Sequence, residues 1–471
     1  MILLIVWDGL RPDMITAERT PFLRSMAEQG VFCQASHAAF PTSTRVNSAS
    51  LTTGCYPGRH GIVDNGRYLP ALDPQEALDF ADWRHLRAMA DLEQSRLLTA
   101  PTLGEALAAH GKKMASAGSG SPGTTYLTNP TVTGPVANWA LAWPAAADRE
   151  IARRFGGYLG PDSTSEQRNA FAVQAVLEYL VPENRPDVLT LWLTEPDHAQ
   201  HGSGLGSPTT LATLAELDHQ LERLVDALTT GGQEHTYILL SDHGFTTIAQ
   251  RVNVDERLVA AGLKALPEDR DIVCNCNSFH VADSAQERFG ELVRFLAEEP
   301  WIGALFVRDD LLGDFPQAMP QSAVFGCHAR SAELMFGYRW WPTENDYGVR
   351  GCSASYSSIV ASHGSASPHE LNNSLVAWGK DIKSGATSSV PCGVVDVAPT
   401  VLHLLGIKPP ASMQGRVLYE LLSDGPLPVA LPVEQVERAA TYATDARLKK
   451  QMAHYSIVDG HNYLDWVALE A

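Results

Sequence analysis

The sequence predicts an α/β protein: a mostly parallel central sheet flanked by helices, with a smaller inserted α+β subdomain. Three observations carry this expectation. Short apolar runs rich in branched residues recur along the chain, each is followed at once by a polar cluster, and helix-like stretches separate them. Strands alternating with helices indicate a mostly parallel sheet covered on both faces. At 471 residues the chain is too long for one ordinary core and comfortable for one large α/β domain carrying an extra piece.

Taken in order, Ile2–Trp7 leads into Asp8-Gly9, and the run from Lys113 to Ala117 leads into GSGSPG. Val188–Leu193 leads into TEPDHAQHG, the run from Tyr237 to Leu240 into SDHG, and that from Ser374 to Trp378 into Gly379-Lys380. Helices are expected over 102–110, 165–181 and 208–230. Ligands of such sheets bind beyond the carboxyl ends of the strands, and the polar clusters fall at those ends. The rhythm breaks from about 265 to 362. A helix-like segment (284–298) is followed there by WIGALFV, AELMFGYRWW and a Gly/Ser-rich run. The expected division is therefore a core of 1–264 and 363–471 and an inserted, substrate-selecting cap of 265–362. Phe336, Tyr338, Trp340 and Trp341 are candidates to wall the site, the alternative being that they form the cap's own core. The core resumes with SHGSASPHELNNSLVAWG and the helix DVAPTVLHLLGI, and a helix-like tail (432–453) is expected to wrap back onto it.

Composition narrows the function. Apolar residues make up 45% and charged residues 19% of the chain, and the net charge is −19. A phosphate backbone needs a basic face, so a nucleic-acid scaffold is excluded as partner. A small phosphate substrate is not, because bound cations reverse the local field. The seven cysteines are scattered and odd in number, with no CxxC pair, so neither a disulfide framework nor a zinc ribbon is expected. No apolar run reaches the roughly 18–20 residues of a membrane span. The start, MILLIVWDGL, reads as a strand and not as a leader. The expectation is a soluble, cytoplasmic chain; a leader removed before residue 1 would look the same.

Four short motifs carry metal chemistry. Asp8 directly follows a strand. In EPDHAQHG, Asp197 and His201 are four apart, which places both on one face of a helical turn; His198 points about a quarter-turn away. Asp242 and His243 are adjacent at a strand end, and His363 lies in SHGS. Each piece alone reads as a cap or turn. Together they give three carboxylates and three imidazoles at four strand ends, which divide into two three-ligand sites with open positions for substrate and water. Mixed N/O ligands without thiolate favour zinc, with manganese or iron as alternatives. A fifth stretch, FPTSTRVNSASLTTGCYPGRHGIVDN (40–65), sets Thr42, Ser43, Thr44 and Ser48 at the start of a small-residue helix. A helix N-terminus attracts anions, and a hydroxyl there beside a metal can lose its proton and attack phosphorus. The residues alone do not choose among the three leading hydroxyls, and a helix cap is the competing explanation.

Asp8, FP-x-x-T-x-x-N, TG-x-YP-x-x-HGI-x-DN, PD-x-x-x-H, DHG and HG occur here in order. The set resembles the alkaline phosphatase superfamily and, within it, the nucleotide pyrophosphatase/phosphodiesterase family, over roughly 1–260 and 360–425. The resemblance implies an alkaline-phosphatase-like core and hydrolysis of small phosphate esters through a phospho-threonine. It implies one zinc held by Asp197, His201 and His363 and another by Asp8, Asp242 and His243. Thr44 matches the nucleophile, placed at the metals, and Asn65 matches the side chain that binds a phosphoryl oxygen. His60 and Gly61 match loop architecture. One departure stands out. Many family members follow the nucleophile with an aromatic residue, then Pro and Asn; here the run is Arg45-Val46-Asn47. Arg45 pairs with an anion bidentately where an aromatic would stack on a base, unless it serves a structural ion pair. Phosphomonoesters and phosphonates, as for a phosphonoacetate hydrolase, therefore stand beside diesters as expected substrates. A non-catalytic binding protein of the same fold is a further reading, and the intact ligand set and Thr44 weigh against it.

Overall fold

A computed structural model describes residues 1–230, 232–428, 431–443 and 448–470. Its centre is a ten-stranded sheet. The strands run in the order Ala386–Ser388, Val31–His37, Asn372–Gly379, Thr236–Leu240, Ile2–Trp7, Val188–Leu193, Met114–Gly118, Val136–Asn138 and Leu141–Trp143, with Cys392–Gly393 also pairing to Val31–His37. The inner strands Thr236–Leu240, Ile2–Trp7, Val188–Leu193 and Met114–Gly118 are parallel neighbours. Asn372–Gly379 runs antiparallel to both of its neighbours.

The first strand is apolar throughout because both faces of the sheet are covered. Leu3, Ile5 and Trp7 face one core, shared with Phe171 and Leu180 and with Leu214, Leu217 and Leu221 of the helix Pro208–Thr229. Ile2, Leu4 and Val6 face the other, with Leu103 and Leu107 and with Val397, Val401 and Leu402 of the helix Val397–Leu404. Adjacent residues alternate between the faces, as the period of two requires.

A second core lies beyond the large sheet. It is built on the five-stranded sheet that contains Ile272–Asn275, Ser278–Val281, Ile302–Val307, Met319–Pro320 and Leu334–Tyr338. The helix Phe289–Glu298 packs on it through Leu292, Val293 and Leu296. Val254 and Leu258, which precede 265, and Tyr442 from the tail lie in the same cluster as Phe279 and Trp301. The packing unit is thus wider than the 265–362 stretch alone. Thr246–Arg251 also pairs with Arg350–Ser355 and with Ala361–Ser362, stitching the two regions together.

The tail differs from expectation. In place of a helix over 432–453, the strands Glu434–Ala443, Leu448–Val458 and His461–Glu470 form an antiparallel sheet. Asp459 and Gly460 join the last two with φ of 49° and 78°, the paired positive values of a tight hairpin turn. Tertiary packing overrides helix propensity here: Ala453, Tyr455, Leu464 and Val467 bury against Phe306, Met335 and Phe40.

Candidate active site

Three neighbouring parallel strands end together, and each delivers a carboxylate. Ile2–Trp7 is followed at once by Asp8. Thr236–Leu240 is followed by Ser241 and Asp242. Val188–Leu193 leads through a short turn to Asp197, the first residue of the helix Asp197–Ser203. The turn is fixed by backbone bonds from Asp8 N to the Leu193 carbonyl and from Asp197 N to the Asp8 carbonyl, both 3.0 Å. Gly9 adopts φ +71° and donates its N–H to Asp242 Oδ1 at 3.1 Å. A Cβ at Gly9 would stand 3.0 Å from the Phe245 ring, so a side chain there is strained by the backbone and crowded by its neighbour.

The histidines arrive with one nitrogen already committed. His243 Nδ1 lies 2.9 Å from the Gly244 carbonyl, His201 Nδ1 2.8 Å from the Ala361 carbonyl and His363 Nδ1 2.6 Å from the Thr42 carbonyl. A carbonyl only accepts, so each Nδ1 carries a proton, and Nε2 is the nitrogen each ring presents to the site. Those Nε2 atoms point at carboxylates. His243 Nε2 is 3.5 Å from Asp8 Oδ1 and 3.3 Å from Asp242 Oδ2; His201 Nε2 and His363 Nε2 are 3.3 and 3.4 Å from Asp197 Oδ1. The His243 and His363 rings stack with centroids 3.7 Å apart.

Asp8 Oδ1, Asp242 Oδ2 and Asp197 Oδ1 are buried and accept no hydrogen bond. Buried carboxylate oxygens without a partner are costly, and these face the Nε2 atoms of the three imidazoles. The arrangement suits cations. Asp8, Asp242 and His243 form one candidate group, and Asp197, His243 and His363 a second, with His201 beside Asp197. The electrostatics agree. Burial, reinforced by Asp242 and Asp197, raises Asp8 well above the usual carboxylate range, and burial also raises Asp242. Burial works in the same sense on Asp197, but His201 and the other two imidazoles outweigh it and hold this carboxyl below its usual range. Burial and the neighbouring His243 push His363 well down.

The helix Thr44–Thr53 begins beside these groups. Thr44 Oγ1 is 3.4 Å from His243 Nε2. Of the other leading hydroxyls, Thr42 Oγ1 is engaged with Ser365 and Glu370, and Ser48 Oγ donates to the Thr44 carbonyl at 2.7 Å. Asn65 Oδ1 accepts the Arg45 N–H at 3.0 Å, which leaves the Asn65 amide N–H groups as donors at the helix start. Arg45 Nη2 donates to Ser121 Oγ at 3.1 Å, and its buried Nε has no partner. Arg45 therefore has no ion pair among the described residues. His198 is exposed and faces away. His60 is fully buried against Ser50 and the Ile62 N–H.

Phe336 and Tyr338 lie in the second core, and Trp341 packs against it; Trp340 Nε1 bonds the Val467 carbonyl at 2.8 Å. These aromatics hold that region together. The segment that approaches the site is the turn between Ile272–Asn275 and Ser278–Val281. Asn277 N donates to Asp64 Oδ2 at 2.9 Å, next to Asn65, and Cys276 N donates to the Tyr356 hydroxyl at 3.0 Å. Ser121 and Asp64 lie inside stretches the sequence singles out, but the partners that give them a role, Arg45 for Ser121 and Asn277 for Asp64, are distant in the chain.

Comparison with known proteins bears on the family and the fold. A family described as type I phosphodiesterase / nucleotide pyrophosphatase matches residues 2–316. Ectonucleotide pyrophosphatase/phosphodiesterase family member 1 of Rattus norvegicus is 27% identical over 251 residues, covering 51% of this chain and 24% of the relative. Family member 5 of Homo sapiens is 25% identical over 263 residues, covering 55% and 46%. The chain thus spans less than half the length of these curated relatives. Among solved structures, wild-type alkaline phosphatase PafA superposes with a TM-score of 0.69 at 16% identity, covering 90% of this chain and 98% of that one. An inactive murine ectonucleotide pyrophosphatase / phosphodiesterase 5 in complex with AMP gives 0.60 at 17%, covering 87% and 96%. At these identities the structural likeness is one of fold.

Proposed function

Because the chain belongs to the type I phosphodiesterase / nucleotide pyrophosphatase family, we propose that it hydrolyses small phosphate esters at a two-cation site through a phospho-threonine on Thr44. One observation supports this above the rest. Three buried, unpartnered carboxylate oxygens converge with three imidazoles pinned through Nδ1, and the Thr44 hydroxyl stands 3.4 Å from one of them. In this reading Asp197, His201 and His363 hold one cation and Asp8, Asp242 and His243 the other. Two divalent ions, zinc first and manganese or iron as alternatives, would supply Lewis acidity that favours the Thr44 alkoxide and offsets charge on the phosphoryl and leaving oxygens.

The chain's own residues supply the remainder. The helix start presents Thr44 Oγ1 to phosphorus, and its amides favour the anion. Thr44 Oγ1 gives its proton to water and forms the new P–O bond as the bond to the leaving oxygen breaks; that oxygen departs with the electron pair and takes up a proton from water. Asn65, with its carbonyl oxygen held by Arg45 N, donates N–H to a non-bridging oxygen as charge builds there. Water then cleaves the phospho-threonine and restores the hydroxyl. The region 265–362 is assigned the wall of the leaving-group side, contributed by the turn carrying Cys276 and Asn277.

Arg45 favours a second reading on the same core. A guanidinium with an unpartnered Nε beside Ser121 suits a carboxylate or a phosphate dianion, so an anionic monoester or a carboxylated phosphonate is the alternative substrate class. Parallel rates on a bis-aryl phosphate, an aryl monoester and a carboxylated phosphonate separate the two. Acid-quenched turnover examined by peptide mass spectrometry should find the transferred group on Thr44: an aryl phosphate from the diester, phosphate from the monoester or from a phosphonate cleaved at its P–C bond. Turnover that labels no residue, or another residue, overturns the mechanism.

A further inference from the structure

Glu370 is fully buried, and its hydrogen bonds run to three segments that flank the candidate ligands. Oε2 accepts the Ser365 N–H at 2.6 Å and lies 2.9 Å from Thr42 Oγ1. Oε1 accepts from Ser365 Oγ and from Thr246 Oγ1, each at 2.6 Å. The Glu370 main-chain carbonyl accepts the Gly244 N–H at 2.7 Å, immediately after His243. Thr42 in turn receives the Gly364 N–H on its hydroxyl at 2.9 Å and the His363 Nδ1–H on its carbonyl at 2.6 Å. Thr42 is two residues before Thr44.

A buried carboxylate of this kind fixes geometry. Its four accepting contacts span the turn before Thr44, the loop after His363 and the strand after His243. We propose that Glu370 is a positioning residue: through Thr42 and Ser365 it holds the His363 imbedding loop and the nucleophile turn in one register, keeping the His363 proton on Nδ1 and its Nε2 free for a cation. The proposal rests on the two-cation reading for its consequence, but the imidazole geometry it concerns exists without metal. Partners one bond beyond a ligand typically change metal affinity by about 10- to 100-fold when removed.

Glu370→Gln keeps the shape. Its oxygen serves Ser365 N and Thr42, and its NH2 meets two hydroxyls that can turn to accept. Glu370→Ala removes every side-chain bond, and Thr42→Val removes only the hydroxyl through which the carboxylate acts. Metal-free protein labelled with 15N-histidine reports the His363 tautomer directly, and zinc titration of the same samples reports the two affinities. The expected result is a single Nδ1–H tautomer in wild type and Glu370→Gln. In Glu370→Ala the tautomer is mixed, and one of the two zinc affinities falls at least tenfold while the other stays within about threefold. A folded Glu370→Ala protein with an unchanged tautomer and unchanged affinities would falsify the proposal, whatever its melting temperature. If that variant does not fold, Thr42→Val decides by the same two readouts. Wild type that takes up no zinc overturns the two-cation reading instead, and the tautomer readout then judges Glu370 alone.

Discussion

Trp192 Nε1 donates to Asp8 Oδ2 at 3.0 Å, so a single oxygen of that buried carboxylate, Oδ1, is left to face His243 Nε2. Asp242 is divided the same way: Oδ1 accepts the Gly9 and His243 N–H groups, and Oδ2 stays unpartnered. The protein thus spends one oxygen of each carboxylate on orientation and leaves the other for a ligand. Without a cation, two raised carboxyls and a free aspartate oxygen share one buried space.

Removing metal should therefore cost stability as well as activity. An ion present at a hundred times its dissociation constant stabilises the fold by about 2.7 kcal/mol. Chelation should lower the melting temperature, and added zinc should restore it. Asp242→Asn should lose one ion of two, and elemental analysis would show it. Full hydrolytic activity in metal-free protein would refute the two-cation site.

Thr44→Ala should reduce kcat on the order of ten-thousandfold or more, as loss of a nucleophile does elsewhere, with metal content near normal. Asn65→Ala should be milder, roughly 100- to 1,000-fold in kcat, the usual cost of one donor to a developing oxyanion. Thr42→Ala or Ser43→Ala abolishing turnover while Thr44→Ala leaves it intact would place the nucleophile in the wrong register.

Asp64 gives a pH signature away from the metals. Burial pushes its carboxyl up to about 7, against the N–H groups of Asn277 and Asn65 and the Ser278 hydroxyl, which favour the anion. A carboxyl raised in the fold binds its proton more tightly there than in the unfolded chain. Its stabilisation is present below the unfolded value, near 4, and is lost as pH rises to the folded one, near 7. The limiting slope is about 1.4 kcal/mol per pH unit. Asp64→Asn has no proton to lose, so its stability relative to wild type should improve steadily from pH 4 to 7. Denaturant midpoints across that range test the slope, and parallel curves would contradict the assignment.

The sheet and most of the site were legible because their signals are local. A strand buried on both faces reads as a continuous apolar run, as in Ile2–Trp7 and Val188–Leu193, and a carboxylate at its end stands out. The sequence spacing of Asp197 and His201 survives as a 3.3 Å contact. The tail misled because Val433, Val436, Ala440 and Ala443 mimic a helical stripe. The better clue was Asp459-Gly460, a turn pair between apolar runs that marks a hairpin. Phe336 and Tyr338 stood open between a site wall and the cap's own core, because nothing local distinguishes the two; they lie in the core. Glu370 was invisible for another reason: Thr42, which it orients, lies 328 residues earlier in the chain.

Arg45 carries the substrate question. Its backbone N–H is held by Asn65 and its Nη2 reaches Ser121, while among the described residues the buried Nε has no partner and no carboxylate pairs with the head group. A structural ion pair would have supplied one. The guanidinium stands one residue from Thr44, so the part of a substrate that is not attacked comes within its reach. A hydrogen bond to a charged group is typically worth about 1.5–3 kcal/mol, or roughly ten- to a hundredfold in kcat/KM. Arg45→Ala should therefore lose about that much on a substrate with a second anionic group and little on a neutral-tailed diester. Ser121→Ala should cost less, because it removes only the bond that steadies the guanidinium. Arg45→Lys should recover part of the loss, since an ammonium keeps the charge but lacks the planar fork. Measured kcat/KM for the four proteins on both substrates decides it. Equal losses on the two substrates, with a lower melting temperature, would assign Arg45 to the fold and leave the diester as the natural class.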